Sequence, residues 1–201
     1  HSHIRHLYAL LNLFKTKGFS RVYIDLFSDG RDSDPMDGIE MAEEVDEKIK
    51  QIGVGKIVSL SGRFYAMDRD NRWGRIARAY NLLIKGEGGV FESVREAFSH
   101  SYSQGITDEF IEPRLISNKT QPIVTISDDD SIILFNFRSD RAREITRAFL
   151  EVNLPDFPDR KILKNLYFAT FVIYDDQQLS EQVFHPEVIA DPLAGVWSKS
   201  Q

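Results

Sequence analysis

Arg21-Val22-Tyr23-Ile24-Asp25-Leu26-Phe27 runs directly into Ser28-Asp29-Gly30-Arg31-Asp32-Ser33-Asp34-Pro35, and a helical pattern follows from about Met36 to Gln51. The first segment is β-branched and aromatic, which suits a pleated strand. The second is made of turn formers, with Gly30 free to take a positive φ. The third puts Ile39, Val45 and Ile49 on one face and a glutamate–lysine surface opposite. Strand, polar turn and amphipathic helix in succession make the repeating unit of an α/β fold.

The alternation continues on both sides. Upstream, Ile4, Leu7, Tyr8, Leu10, Leu11 and Phe14 form one helical stripe that ends at Gly18. Downstream, Lys56 to Leu60 reads as a strand opening into Ser61-Gly62-Arg63. Helices are predicted over about Arg72–Lys85 and Phe91–Ser103, with Gly86-Glu87-Gly88-Gly89 as a helix-to-helix joint. Pro122–Ile126 and Ser131–Phe137 read as antiparallel strands around a hairpin turn at Asp128-Asp129-Asp130. Ser139 is the expected N-cap of a helix reaching Leu150, and Leu166–Tyr174 is the last strand. The expected fold is α/β: a mixed, strongly twisted sheet, open or partly closed, flanked by helices in three layers.

Composition narrows the function classes. In 201 residues there are 25 basic and 31 acidic side chains, a net charge of −6, and 23 aromatic residues. That aromatic mass argues for a packed core and against disorder. With no cysteine there is no disulfide framework, thiolate nucleophile or cysteine-ligated metal. A reducing, cytoplasmic location fits. The apolar runs are too short to span a bilayer, and the acidic excess argues against general nucleic-acid binding. His1-Ser2-His3-Ile4-Arg5-His6 enters a helix directly, and Asp191-Pro192-Leu193-Ala194-Gly195-Val196-Trp197 does not have a disordered composition. Both ends therefore read as cut from a larger protein.

Three arginine-bearing polar turns each follow an expected strand. They are Asp29-Gly30-Arg31-Asp32, Ser61-Gly62-Arg63 with Met67-Asp68-Arg69-Asp70, and Arg138-Ser139-Asp140-Arg141. Ligands of open α/β sheets bind beyond the carboxyl ends of the strands. Arg31, Arg63, Arg69, Arg138 and Arg141 would then converge on one cleft, where planar guanidinium groups match phosphate and carboxylate. Taken singly, each arginine reads as a surface partner for a neighbouring aspartate; the three turns together favour the cleft. Asp32, beside Arg31, is either a general base toward a substrate hydroxyl or a turn-capping carboxylate. His3 and His6 would share a helix face, yet no carboxylate stands at a metal-ligand spacing from them. No side chain presents itself as a covalent nucleophile.

At these residues the sequence resembles the cofactor-independent (2,3-bisphosphoglycerate-independent) phosphoglycerate mutases. The resemblance rests on His1-Ser2-His3, on Asp29-Gly30-Arg31-Asp32, and on Ser61-Gly62-Arg63-Phe64-Tyr65-Ala66-Met67-Asp68-Arg69-Asp70 with Arg72-Trp73. It also rests on Gly105-Ile106-Thr107-Asp108-Glu109-Phe110, and on Phe135-Asn136-Phe137-Arg138 with Asp140-Arg141-Ala142-Arg143. It implies a glycolytic isomerase that interconverts 3- and 2-phosphoglycerate through a phosphoserine. The serine and two manganese ions would sit on an alkaline-phosphatase-like domain outside this chain. Residues 1–175 would be the inserted substrate-binding domain, and 176–201 its end and the return toward that partner.

The resemblance further implies that His1, Arg31, Asp32, Arg63, Arg69, Arg138 and Arg141 are substrate ligands, with Asp32 exchanging protons with the glycerate hydroxyls. No cofactor or metal is expected within this chain itself, the whole protein is expected to be a monomer, and the chain alone is expected to be inactive. Three positions depart from the family pattern: Asn71 where lysine is usual, Ser139 where proline is usual, and Asp25 where histidine is frequent. Two other readings stay open on the residues alone. One is a non-enzymatic binding module for phosphorylated small acids. The other is a hydrolase using Asp32 with His1, His3 or His6 and a metal.

Overall fold

The computed structural model describes residues 2–118, 120–174, 180–185 and 197–198. His1 and much of 176–201 lie outside them. The elements in chain order are α1 (Ile4–Thr16), β1 (Ile24–Ser28), α2 (Gly38–Ile52), β2 (Ile57–Gly62), α3 (Arg63–Ala66), α4 (Trp73–Lys85), β3 (Gly89–Phe91) and α5 (Val94–Ser103). A 3-10 turn (Asp108–Phe110), β4 (Arg114–Ile116), β5 (Ser131–Leu134), α6 (Ser139–Leu150), β6 (Tyr167–Thr170) and β7 (Glu181–Gln182) follow.

The architecture is mixed α/β, as expected, but the strands form two sheets and neither closes into a barrel. The first is mixed, in the order β1-β2-β4-β3; the second is β5-β6-β7 and parallel throughout. Every residue of β2 is buried, because helices cover both faces of its sheet. On one side Leu7 and Leu11 of α1, Val45 and Ile49 of α2, and Ala97 and Phe98 of α5 pack on Ile24, Ile57 and Leu60. On the other, α4 brings Trp73, Ile76 and Tyr80 against Ile145 and Phe149 of α6 and Phe168 of β6. That second core joins the two sheets into one body. No helix among the described residues is long and apolar enough to cross a membrane.

Several local expectations need correction. Residues 122–126 pair with no strand, and β5 pairs in parallel with β6, so Asp128–Asp130 is not a hairpin turn but the entry to β5. Asp129 there takes φ 66°. The glycine-rich joint leads into β3 rather than a helix, and α5 begins only after Ser93, whose side chain accepts the Glu96 N–H. Ser139 is the first helical residue of α6, not its cap; Arg138 holds the cap position, without a side-chain capping bond.

Candidate functional site

β1 and β2 run in parallel with Ser28 opposite Gly62, so the turn after β1 and the start of α3 leave the sheet side by side. Arg63 opens α3 and runs beneath that turn, only 2% exposed. Its Nη1 donates to Asp29 Oδ1 at 2.6 Å and to Asp32 Oδ2 at 2.8 Å. Asp29 Oδ1 also accepts the N–H groups of Arg31 (3.0 Å) and Asp32 (2.9 Å), closing an Asx turn. Burial pushes the Asp29 carboxyl up. The Asp32 N–H, Arg63 and the Arg31 N–H outweigh it and hold the group below the usual carboxylate range.

The second sheet supplies the other half. Arg138, from the loop after β5, lies 3.8 Å from Asp32 Oδ2 and donates through Nε to Asp140 Oδ1 at 2.7 Å. Arg69, from the loop between α3 and α4, donates to Asp140 Oδ2 at 2.6 Å. Arg63, Asp32, Arg138, Asp140 and Arg69 thus form one unbroken series of ion pairs drawn from both sheets. Arg31 sits at the rim, 3.7 Å from Glu109.

Arg141 differs from the rest. On α6, it donates from Nη1 to the Met67 carbonyl at 3.0 Å, and its Nε is buried without a partner. No ion pair joins it to a carboxylate among the described residues. Burial, then the charges of Arg69, Arg63 and Arg31, depress its pKa, with Asp140 opposing weakly. A partly buried guanidinium facing three others, with no carboxylate ion pair among the described residues, is a place where an entering anion would be favoured.

The Arg63 hydrogen bond and charge hold the Asp32 carboxyl below its ordinary range, and Arg138 and Arg31 add to this. Asp32 is therefore ionised at neutral pH, with half of its side chain open to solvent.

A lower layer fixes the Arg69 loop. Buried Asp68 accepts the N–H groups of Asp70 (2.9 Å) and Arg72 (3.0 Å), and buried Glu144 of α6 accepts that of Asn71 (2.8 Å). Asn71 takes φ 58°, a conformation asparagine tolerates better than lysine. Asp25, the third unusual position, bonds with Ser59 within the first sheet, and burial pushes its carboxyl up.

Of the expected site residues, Arg31, Asp32, Arg63, Arg69, Arg138 and Arg141 share this one electrostatic neighbourhood, while His1 lies outside the described residues. His3 and His6 are otherwise engaged. His3 Nδ1 accepts the Arg5 N–H at 3.1 Å, His6 Nδ1 accepts the His3 N–H at 3.2 Å, and the His6 ring packs on Phe137 and Phe171. No three histidine, aspartate or glutamate side chains among the described residues form a group fit to hold a metal ion. Asp140 and Glu109 stand in the quoted motifs but are not among the expected site residues, and Glu144 stands in none of them; the acid–base order of Asp140-Arg141 is the signal for Asp140.

Residues 1–176 match the family model described as the BPG-independent PGAM N-terminus. The chain belongs to this family. It is 43% identical over 196 residues to a 2,3-bisphosphoglycerate-independent phosphoglycerate mutase of Moorella thermoacetica, covering 98% of this chain and 38% of the relative. It is 46% identical over 200 residues to that of Acetivibrio thermocellus, covering 99% and 39%. A crystal structure of Leishmania mexicana phosphoglycerate mutase at low cobalt concentration superposes with a TM-score of 0.82 at 26% identity, over 88% of this chain and 34% of that one. The chain thus spans well under half the length of the relatives it matches.

Proposed function

We propose that this chain is the substrate-holding part of a 2,3-bisphosphoglycerate-independent phosphoglycerate mutase, an isomerase interconverting 3- and 2-phosphoglycerate. The observation that carries the reading is Arg141, without a carboxylate ion pair among the described residues, beside four arginines already paired with carboxylates. A small polyanion can take Arg141 outright and compete with carboxylates for the others. Charge-assisted bonds would retain the glycerate while its phosphoryl group is elsewhere, and retention is what converts a phosphatase-like exchange into a mutase.

Asp32 acts within the same electrostatics. In the free site Arg63 holds its proton affinity down. Once the substrate anion draws positive charge from Arg63 and Arg138, that stabilisation weakens and Asp32 becomes a stronger base toward a glycerate hydroxyl. Substrate binding thereby switches the base on. Arg31, Arg63, Arg69, Arg138, Arg141 and His1 are the proposed ligands, and residues 1–175 the proposed domain.

As the resemblance implies, the two manganese ions and the phosphoserine are assigned to the remainder of a longer, monomeric, cytoplasmic polypeptide. The test is turnover. The full-length polypeptide is expected to interconvert the two phosphoglycerates, and this chain alone to bind them weakly with no turnover. Robust turnover by this chain alone would overturn the division of labour. A full-length protein that binds phosphoglycerate without isomerising it would favour a binding module.

A further inference from the structure

Within Gly105-Ile106-Thr107-Asp108-Glu109-Phe110, Glu109 pairs with Arg31 at the rim of the site, and its neighbour Asp108 lies below it. Asp108 is fully buried. Its Oδ2 accepts the Gly38 N–H at 2.8 Å and its Oδ1 accepts the Tyr102 hydroxyl. Its backbone N–H donates to the Pro35 carbonyl at 2.9 Å, and its own carbonyl accepts the Ser28 hydroxyl at 2.7 Å. Ser28 opens the turn that carries Arg31 and Asp32; Pro35 and Gly38 close it. One residue therefore grips both ends of that turn.

The glycines around Asp108 show how tight the grip is. A Cβ on Gly30 would stand 2.7 Å from Asp108 Cβ, and one on Gly38 would stand 2.7 Å from Asp108 Oδ2. A Cβ on Gly62, the residue before Arg63, would stand 2.4 Å from the Glu109 carbonyl oxygen. The Gly62 N–H donates to the Ile111 carbonyl at 2.7 Å. The sheet explains this placement: β4 runs antiparallel to β2, so the residues just before β4 lie beyond the carboxyl end of β2, where the site is built.

We propose that Asp108 is a positioning residue that fixes Asp32 against Arg63 by tying Ser28, Pro35 and Gly38 to one buried point. The inference rests on the functional reading above. Asp108 touches no substrate; it acts through the turn. Three of the five arginines, Arg69, Arg138 and Arg141, belong to other elements, Arg63 stays on α3, and Arg31 is at the exposed rim, so loosening Asp108 disturbs the base more than the anion grip.

The test uses the full-length polypeptide carrying Asp108→Ala or Asp108→Asn. Asp108→Ala loses both side-chain bonds, and its kcat is expected to fall about 10- to 100-fold, as a displaced reacting group requires. Its KM should change by less than about threefold. Asp108→Asn keeps an oxygen for the Gly38 N–H and should recover most of the lost kcat. Wild-type kcat in a folded Asp108→Ala protein would overturn the proposal. If that variant does not fold, Tyr102→Phe carries the test. It frees one carboxylate oxygen and should lower kcat roughly three- to tenfold; unchanged kcat would again overturn the proposal.

A readout independent of turnover separates this inference from the functional one. The Asp32 carboxyl, followed by carbon NMR, is expected to titrate at higher pH in the Asp108→Ala variant, or in Tyr102→Phe where that variant stands in, than in the parent protein. An inactive parent in which that titration still moves would sink the mutase reading and leave the positioning role standing. An active parent whose Asp32 titration does not move in the variant would sink the positioning role alone.

Discussion

Arg69 donates to Asp140 at 2.6 Å across a gap of 71 residues in sequence. The bond ties the loop behind the first sheet to the first turn of the helix that follows the second sheet's leading strand. Arg138 shares the same carboxylate through Nε and Nη2. Asp140 thus aligns two cations from separate elements, and it also withholds both from any passing anion.

Replacing Asp140 with asparagine should separate those two effects. The pair is partly exposed, so stability should fall by only about 1 kcal/mol. With one negative charge removed, inorganic phosphate should bind a few-fold more tightly. Turnover of phosphoglycerate by the full-length polypeptide should nevertheless fall, because the two guanidinium groups lose their common reference. Calorimetric phosphate titration and a steady-state assay check the two halves; weaker phosphate binding would contradict the account.

Acid should loosen this structure through the same carboxylates. The Arg138 hydrogen bond holds the Asp140 carboxyl well below the usual range, helped by Arg69, and Asp29 and Asp32 are also lowered. A carboxyl lowered in the folded chain takes up its proton first in the unfolded chain as pH falls. The stabilisation is therefore complete above about pH 5 and drains away as pH drops through about 4 and below. Scanning calorimetry between those conditions should show Tm falling with acidity, and a shallower slope for Asp140→Asn than for the parent.

Arg141 and Arg63 should fail in opposite ways. Arg141→Gln removes a cation that burial and three neighbouring arginines already disfavour. Tm should hold or rise slightly, while phosphoglycerate affinity in the full-length polypeptide falls by about tenfold or more. Arg63→Gln strands Asp29 and Asp32 above a buried guanidinium position. Their partial exposure softens the loss, which should still be about 2 kcal/mol. Thermal denaturation with binding calorimetry on both variants distinguishes the two; a large Tm loss in Arg141→Gln would contradict its uncompensated state.

The pattern of these residues was readable in sequence to an uneven degree. The helical stripe from Ile4 to Phe14, the strand ending at Phe27 and the amphipathic helix after Met36 announce themselves through periodicity, and all three are present with shifted ends. Arg114–Ile116 gave no such signal. Three residues between prolines and polar turns make a strand only because β2 and β3 offer edges on both sides. The run Pro122–Ile126 has strand composition but no strand partner, so pairing overrode propensity. The division into two sheets is likewise set by α4 packing between them, a tertiary fact with no local signature. The arginines were legible as turns after strands, whereas Asp108 and Glu144 were not, since their roles depend on backbone N–H groups 70 or more residues away.

Two glycine substitutions should show where close approach matters. On Gly62 a Cβ would stand 2.4 Å from the Glu109 oxygen, 2.7 Å from the Ile111 nitrogen and 2.8 Å from the Asp108 oxygen. All three are backbone atoms, so no side chain can turn aside, and Gly62→Ala should cost about 2–3 kcal/mol by overpacking. Gly74 sits in the first turn of α4 with nothing within 4 Å of its Cβ position and an ordinary negative φ. There alanine only restricts the unfolded chain and should add about 0.5–1 kcal/mol. Thermal denaturation of the two variants should therefore move Tm in opposite directions. Equal losses would mean that backbone contact at the Asp108 turn is not what keeps Gly62 bare.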